Sequence, residues 1–159
     1  RQDLYSNEEY TMISMPTVAG VESVPVVVKY TVKIEADGYY KPLLKKPKPL
    51  KEHIFEIYIL RNYPFPDTSR KYRLGAPIRL LWLSNIFHPN IAPGPSFGGT
   101  GVVCWYVLKK WLKMFNLLTI IEGVKALIEN PEPDDPLRYK ICKAAAEWFN
   151  KKKREKGVR

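Results

Sequence analysis

Residues 24–36 read VPVVVKYTVKIEA, a β-branched and partly alternating stretch whose reading sets the fold. Alternation at a period of two sends successive side chains to opposite faces of a strand. A second compact apolar run, HIFEIYIL, spans residues 53–60, and a third, IRLLWL, spans residues 78–83. Between the first two, Asp37-Gly38 predicts a turn. The stretch KPLLKKPKPLKE that follows carries prolines, which cannot donate to a sheet ladder, so it reads as a long hairpin connection or a sheet edge. Three strands in succession predict an antiparallel meander. Upstream, residues 1–16 are polar with scattered aromatics and are expected to hold a short N-terminal helix, closed by Pro16 and Gly20.

From Thr119 the apolar period lengthens to nearly four. Thr119 and Glu122 fit a capping box, with Ile120, Ile121, Val124, Leu127 and Ile128 on one helical face. Asn130-Pro131 should stop this helix. Asp135-Pro136 then reads as an acidic N-cap followed by a proline in the first turn, where its missing N–H is harmless. The second helix should run through Ile141, Ala145 and Trp148 into a basic tail. Strands first and helices afterwards imply an α+β domain.

The chain has 159 residues, 45% of them apolar or aromatic, enough to bury one sizeable core. One domain is expected over 1–159, with a core at about 24–149 and a basic tail at 150–159. No apolar run approaches the roughly 20 residues that span a bilayer, and no secretory pattern opens the chain. A soluble, cytoplasmic protein without a membrane partner is expected. Only two cysteines and two histidines occur, all scattered singly, which argues against a disulfide framework and against a metal site. The net charge of +10 raises the question of nucleic acid. Much of the excess lies in residues 45–51 and 151–159, a pattern typical of a solvated segment or a docking surface for an acidic partner, and it argues against specific nucleic-acid binding.

Several short stretches carry a resemblance. His88-Pro89-Asn90-Ile91, Gly101-Val102-Val103-Cys104, Trp111 and Asn130-Pro131-Glu132-Pro133-Asp134-Asp135-Pro136-Leu137 occur in that order, with Tyr63-Pro64-Phe65 upstream. Any one alone is weak. Together, over about residues 24–149, they resemble the ubiquitin-conjugating enzymes. The resemblance implies that family's fold, an antiparallel meander with an N-terminal helix and C-terminal helices. It implies an acyltransferase that accepts a ubiquitin-like protein from an activating enzyme as a cysteine thioester, then passes it to a substrate lysine with a ligase, RING-type by analogy. No cofactor is implied.

By the resemblance Cys104 is the nucleophile. Thioester exchange needs a thiolate, and an ordinary cysteine with a pKa of about 8.5 supplies a small fraction at neutral pH. That suffices, because exchange between two thioesters is nearly balanced. The Gly-rich stretch FGGTG just before Cys104 would let backbone approach a partner's chain terminus. Most free cysteines are instead small buried hydrophobes, and Cys142, inside an amphipathic helix, is read so. Asn90 would supply an amide donor for a tetrahedral oxyanion, with His88 and Pro89 fixing its turn; a plain turn residue is the alternative. Asp135 would help an attacking lysine lose its proton, with Asp134 as a neighbour able to substitute, and the N-cap role is compatible with this. Tyr63, Pro64, Phe65, Trp111 and Met114 are the candidate ligase-docking residues, or else core and loop packing.

The sequence also departs from the family. The spacing from His88 to Cys104 is several residues longer through PGPSFGG, an insert expected to cover or reshape the thiol's entrance. Tyr106 stands where many members place an acidic residue. The loop after YPF is enlarged by TSRKYRLGA, and Leu112-Lys113-Met114 replaces a Ser-Pro-Ala turn. These departures mark a divergent member, of the kind an archaeal ubiquitin-like system would contain. Two other functions compete: a catalytically inactive binding or scaffold module of the same fold, and a cysteine hydrolase pairing Cys104 with His88 or His53.

Overall fold

Among the described residues, four strands come first and two α-helices follow. The structure, a computed structural model, describes residues 10–71 and 73–157. Strands β1 (Thr11–Thr17), β2 (Gly20–Tyr40), β3 (Lys48–Leu60) and β4 (Ile78–Trp82) form one antiparallel meander in sequence order. Helices α1 (Leu117–Glu129) and α2 (Lys140–Gly157) follow.

From Ile54 to Leu60 the β3 strand is apolar at every position but Glu56 because both of its faces are covered there. Phe55, Ile57 and Ile59 join Ile34, Ile78, Leu80 and Trp82 in the main core, beneath α1. Tyr58 and Leu60 point the other way, to Met15, Val24 and Val26. Helix α1 closes the main core with Ile120, Val124, Leu127 and Ile128, whose spacing puts them on one face. Burying side chains of this kind stabilises by about 1.5–3 kcal/mol each before chain entropy is counted. No helix among the described residues is long and apolar enough to cross a membrane.

Several local expectations are corrected. Residues 11–16 belong to strand β1 rather than to a helix, while residues 1–9 lie outside the described part. As an edge strand, β1 buries little, so its alternation is faint, and Pro16 is tolerated there. Asp37-Gly38 is no turn. It lies within β2 at a register shift opposite β3, and the chain reverses instead at residues 41–47. Gly38 has a packing reason, since a Cβ there would stand 2.9 Å from the His53 ring and 3.0 Å from Ile128.

Helix α1 is capped by Asn116, not Thr119. The Asn116 side chain accepts the Thr119 N–H at 2.9 Å and the Thr119 hydroxyl at 3.0 Å, so Thr119 is the third helical residue. Its end falls at Asn130, before Pro131, as expected. Helix α2 starts at Lys140, so Asp135 is not its N-cap. The backbone before it is held elsewhere: the Leu137 N–H donates to the Pro89 carbonyl at 2.8 Å. Most of the basic tail is helical through Gly157. Lys152 anchors it, lying over the Trp148 and Tyr39 rings and donating to the Tyr39 hydroxyl at 3.1 Å.

Candidate active site

The turn at His88-Pro89-Asn90 is the node on which the site is built. His88 is 2% exposed. Its Nδ1 accepts the Asn90 N–H at 3.0 Å, so its proton sits on Nε2, which donates to the Leu127 carbonyl of α1 at 2.8 Å. Burial lowers its pKa to about 4, so the ring is neutral. Pro89 holds Leu137 as described. Asn90, 3% exposed, donates both amide protons, to the Glu132 carbonyl at 3.1 Å and the Asp135 carbonyl at 3.2 Å. Its Oδ1 accepts the Glu132 N–H at 2.8 Å. Three consecutive residues therefore tie α1 and the whole α1–α2 connection to one turn.

The thiol hangs from the same turn. The Cys104 N–H donates to the Asn90 carbonyl at 2.8 Å, and the Ala92 N–H to the Val102 carbonyl at 2.9 Å, around an antiparallel bridge between Ile91 and Val103. The insert forms the far end of this short ladder. Its residues are absent from the walls of the thiol's cleft, so the expectation that it covers the thiol is corrected. It is fastened to the end of β4: Gly94 donates to the Ser84 carbonyl at 3.0 Å, and Trp82 donates to the Gly101 carbonyl at 2.8 Å. Gly94 and, within FGGTG, Gly99 and Gly101 serve this internal packing, whereas a Cβ on Gly98 would meet nothing within 4 Å. A Cβ on Gly94 would sit 2.1 Å from the Leu83 carbonyl oxygen, and Gly101 combines a φ of +75° with 2.6 Å to the Trp82 oxygen.

Cys104 is half-buried on the wall of a cleft of about 560 Å³. Asn90, Lys109, Glu132 and Asp135 share that wall, and Trp105, Gly123, Ala126 and Leu127 supply apolar surface. Burial pushes the thiol above its ordinary pKa; the Lys109 ammonium opposes this and the Asp135 carboxylate adds to it. Trp105, the next residue, lies on Gly123 of α1, where a Cβ would come within 2.3 Å of its ring. Lys109 and Gly123 are site residues the sequence reading missed. The first sits in an unremarkable Lys-Lys pair, and the second was visible only as a glycine inside a helix, a position that usually has a packing reason.

The other sequence candidates sort by burial. Asp134 and Asp135 are both exposed. Cys142 is fully buried on α2, with burial pushing its thiol to about 12, as a structural cysteine should be. Neither His88 nor His53 lines the thiol's cleft, and His53 is buried with its Nε2 on the Ala36 carbonyl at 3.0 Å. The hydrolase reading therefore has no imidazole at the thiol. Trp111 is a core residue, 8% exposed, and its indole N–H donates to the Pro64 carbonyl at 2.8 Å. Tyr63 is packed against the same core, its hydroxyl donating to the Phe115 carbonyl at 3.0 Å. Of the candidate docking residues named from sequence, Phe65 and Met114 are strongly exposed, at 58% and 73%.

Comparison with known proteins meets this geometry from another side. A sequence profile of the ubiquitin-conjugating enzymes matches residues 45–158. The chain belongs to the ubiquitin-conjugating enzyme family. It is similar to ubiquitin-conjugating enzyme E2 T of Bos taurus, 29% identical over 126 residues that cover 68% of this chain and 56% of that protein. It is also similar to ubiquitin-conjugating enzyme E2 13 of Saccharomyces cerevisiae, 29% identical over 124 residues covering 76% of this chain and 68% of that protein. Among solved structures, S. cerevisiae Ubc12 shares the fold with a TM-score of 0.54 at 23% identity, over 94% of this chain and 66% of that one. The chain spans little more than half the length of the bovine and human E2 T proteins. In this ubiquitin-conjugating enzyme family member, the expected α+β fold with its antiparallel meander is present.

Proposed function

We propose that Cys104 accepts a ubiquitin-like protein from an activating enzyme and passes it to a substrate lysine. One observation carries this reading: in a chain of this family, Cys104 stands half-buried on a cleft shared with Asn90, Lys109 and Asp135. In the first step the Cys104 thiolate attacks the carbonyl carbon of the incoming thioester. A C–S bond to Cys104 forms, and the bond to the activating enzyme's sulfur breaks, that sulfur leaving as thiolate. A raised thiol pKa costs thiolate in this step and makes the Cys104 sulfur a poorer leaving group in the next, so the site acts by positioning rather than by activating the thiol.

In the second step a lysine amine attacks the same carbonyl carbon, a C–N bond forms, the C–S bond breaks, and the amine's proton leaves with a base. Asp135, an exposed carboxylate on the cleft, is suited to draw the ammonium in and take that proton, with Asp134 beside it. Asn90 can serve the oxyanion only by exchanging one of its two carbonyl partners for it, a donor worth about 3 to 4 kcal/mol in such a transition state. Phe65 and Met114 form the apolar contact we assign to a RING-type ligase. No observation favours the inactive scaffold reading.

The test is a charging assay. Incubated with ATP, its activating enzyme and its ubiquitin-like partner, the protein should give a larger adduct that disappears with excess thiol. Cys104→Ala should abolish it. An adduct that forms equally on the alanine variant overturns the assignment.

A further inference from the structure

The two basic runs of the sequence, far apart along the chain, meet on one surface. Residues 41–51 and 151–157 hold ten Lys and Arg against one Glu, which leaves the rest of the chain close to neutral. A shallow cleft of about 530 Å³ joins them, lined by Lys41, Leu44, Lys45 and Lys46 from the β2–β3 turn and by Trp148, Lys151, Lys152 and a single carboxylate, Glu155, from α2. All of these cations except Lys152 are exposed. None of them takes part in an ion pair among the described residues. At the tip of the turn, Leu43 and Leu44 are 88% and 93% exposed, side by side. Leu44 is held there at a φ of +59°, a conformation unusual for its residue type.

We propose that this surface binds an anionic lipid bilayer. Three features select that occupant. Nine of the ten cations are Lys, which act as diffuse point charges, whereas recognition of carboxylates on an acidic peptide favours the bidentate fork of Arg. The leucines sit at a hairpin tip flanked by lysines, the order in which an apolar wedge enters acyl chains while ammonium groups stay at headgroup level. A nucleic-acid strand would seek an exposed ring to stack on, and the one ring lining this cleft, Trp148, is half-buried, packed edge-on against Tyr39 at 4.8 Å and covered by Lys152. Polybasic attraction and a short apolar insertion are the two signals that together hold a protein on a membrane, and neither requires a spanning segment. The expectation of no membrane partner rested on the lack of such a segment.

The same charges set the orientation. Between the basic surface and the thiol's cleft runs a groove that shares Lys152 with the one and Asn130 and Glu132 with the other. Its three exposed carboxylates, Asp37, Glu129 and Glu132, offset its three lysines, Lys152, Lys153 and Lys156, so the excess positive charge of the lysine face ends here. The bilayer is met by the lysine face, and the thiol stays open to protein partners.

Co-sedimentation of the full chain with vesicles of phosphatidylcholine, with and without phosphatidylserine, tests this. Binding is expected only with phosphatidylserine, and it should collapse as salt rises from about 0.1 M to about 0.5 M. Leu43→Ser and Leu44→Ser should each weaken vesicle binding about tenfold. Lys45→Glu with Lys151→Glu should abolish it, and circular dichroism spectra like the parent's would show that the variants fold. Vesicle binding unchanged in both leucine variants overturns the proposal, because a generic polycation surface needs no leucines. So does tighter binding to polyglutamate or to a DNA duplex than to phosphatidylserine vesicles at equal salt.

Discussion

Replacing Asn90 with Asp separates its role as a clamp from any role toward substrate. The native amide donates to two carbonyl oxygens at 3.1 and 3.2 Å, in a site 3% exposed. The substitution turns both donated bonds into oxygen–oxygen contacts and buries a carboxylate there. Only the bond from the Glu132 N–H remains. Two lost bonds at about 1 kcal/mol each, plus the penalty for a poorly solvated charge, sum to a loss of about 3–5 kcal/mol at neutral pH. That is a large share of a typical domain's 5–15 kcal/mol. The introduced carboxyl favours its neutral form in the folded state, so its folded pKa lies above its unfolded value of about 3.9. Its penalty is therefore complete above the folded pKa and fades as pH falls toward the unfolded one. Asn90→Ala should also destabilise, but without this added pH dependence. Urea denaturation followed by tryptophan fluorescence at pH 7.5 and pH 5, each variant referred to the parent at the same pH, measures both effects. A loss under about 0.5 kcal/mol, or a gap that does not narrow on acidification, would refute the clamp.

Three further outcomes follow from the site. His88 has a folded pKa of about 4 against an ordinary 6.5, so the unfolded state takes up a proton first and stability falls as pH drops through that window, by about 3 kcal/mol; His88→Gln should remove this part of the profile in pH-dependent denaturation. The alkylation rate of Cys104 should climb with pH beyond the range of an ordinary thiol, with Lys109→Ala moving the profile further up and Asp135→Asn moving it down, each by a few-fold in rate at neutral pH. Gly123→Ala gains about 1 kcal/mol of helix propensity and forces its Cβ against Trp105, an overpacking that costs about 1–3 kcal/mol. A net loss of stability with altered Cys104 alkylation is expected, and a net gain would mean that Trp105 yields freely.

The succession of β2, β3 and β4, the helix periodicity and the short motifs of the site were legible in the sequence, because each depends on neighbours within a few residues. The missed elements share a cause. Strand β1 is an exposed edge whose pairing with β2, Thr11 opposite Val26, supplies what its own pattern lacks. Asp37-Gly38 is turn chemistry overridden by a long β2–β3 ladder, in which Gly38 makes room for His53. The α1 cap went to Asn116 because an N-cap side chain competes for the same N–H groups wherever the helix finally starts. Asp135 lost its capping role because Asn90 and Pro89, more than 40 residues earlier, hold the backbone around it.

Local sequence was enough for the class of the fold and the residue types of the candidate site: an apolar pattern of period two and then four, and an amide, a thiol and a carboxylate in the order of a known family. Only the tertiary structure decided what those residues face. Burial neutralises His88, backbone carbonyls occupy the Asn90 amide, Trp111 takes the core alternative, and the insert before Cys104 turns away to β4. It also brings the runs at 41–51 and 151–157 onto one basic surface. The physical reason is the same in each case: solvation and hydrogen-bond partners are set by chain that is distant in sequence, and no local pattern records them.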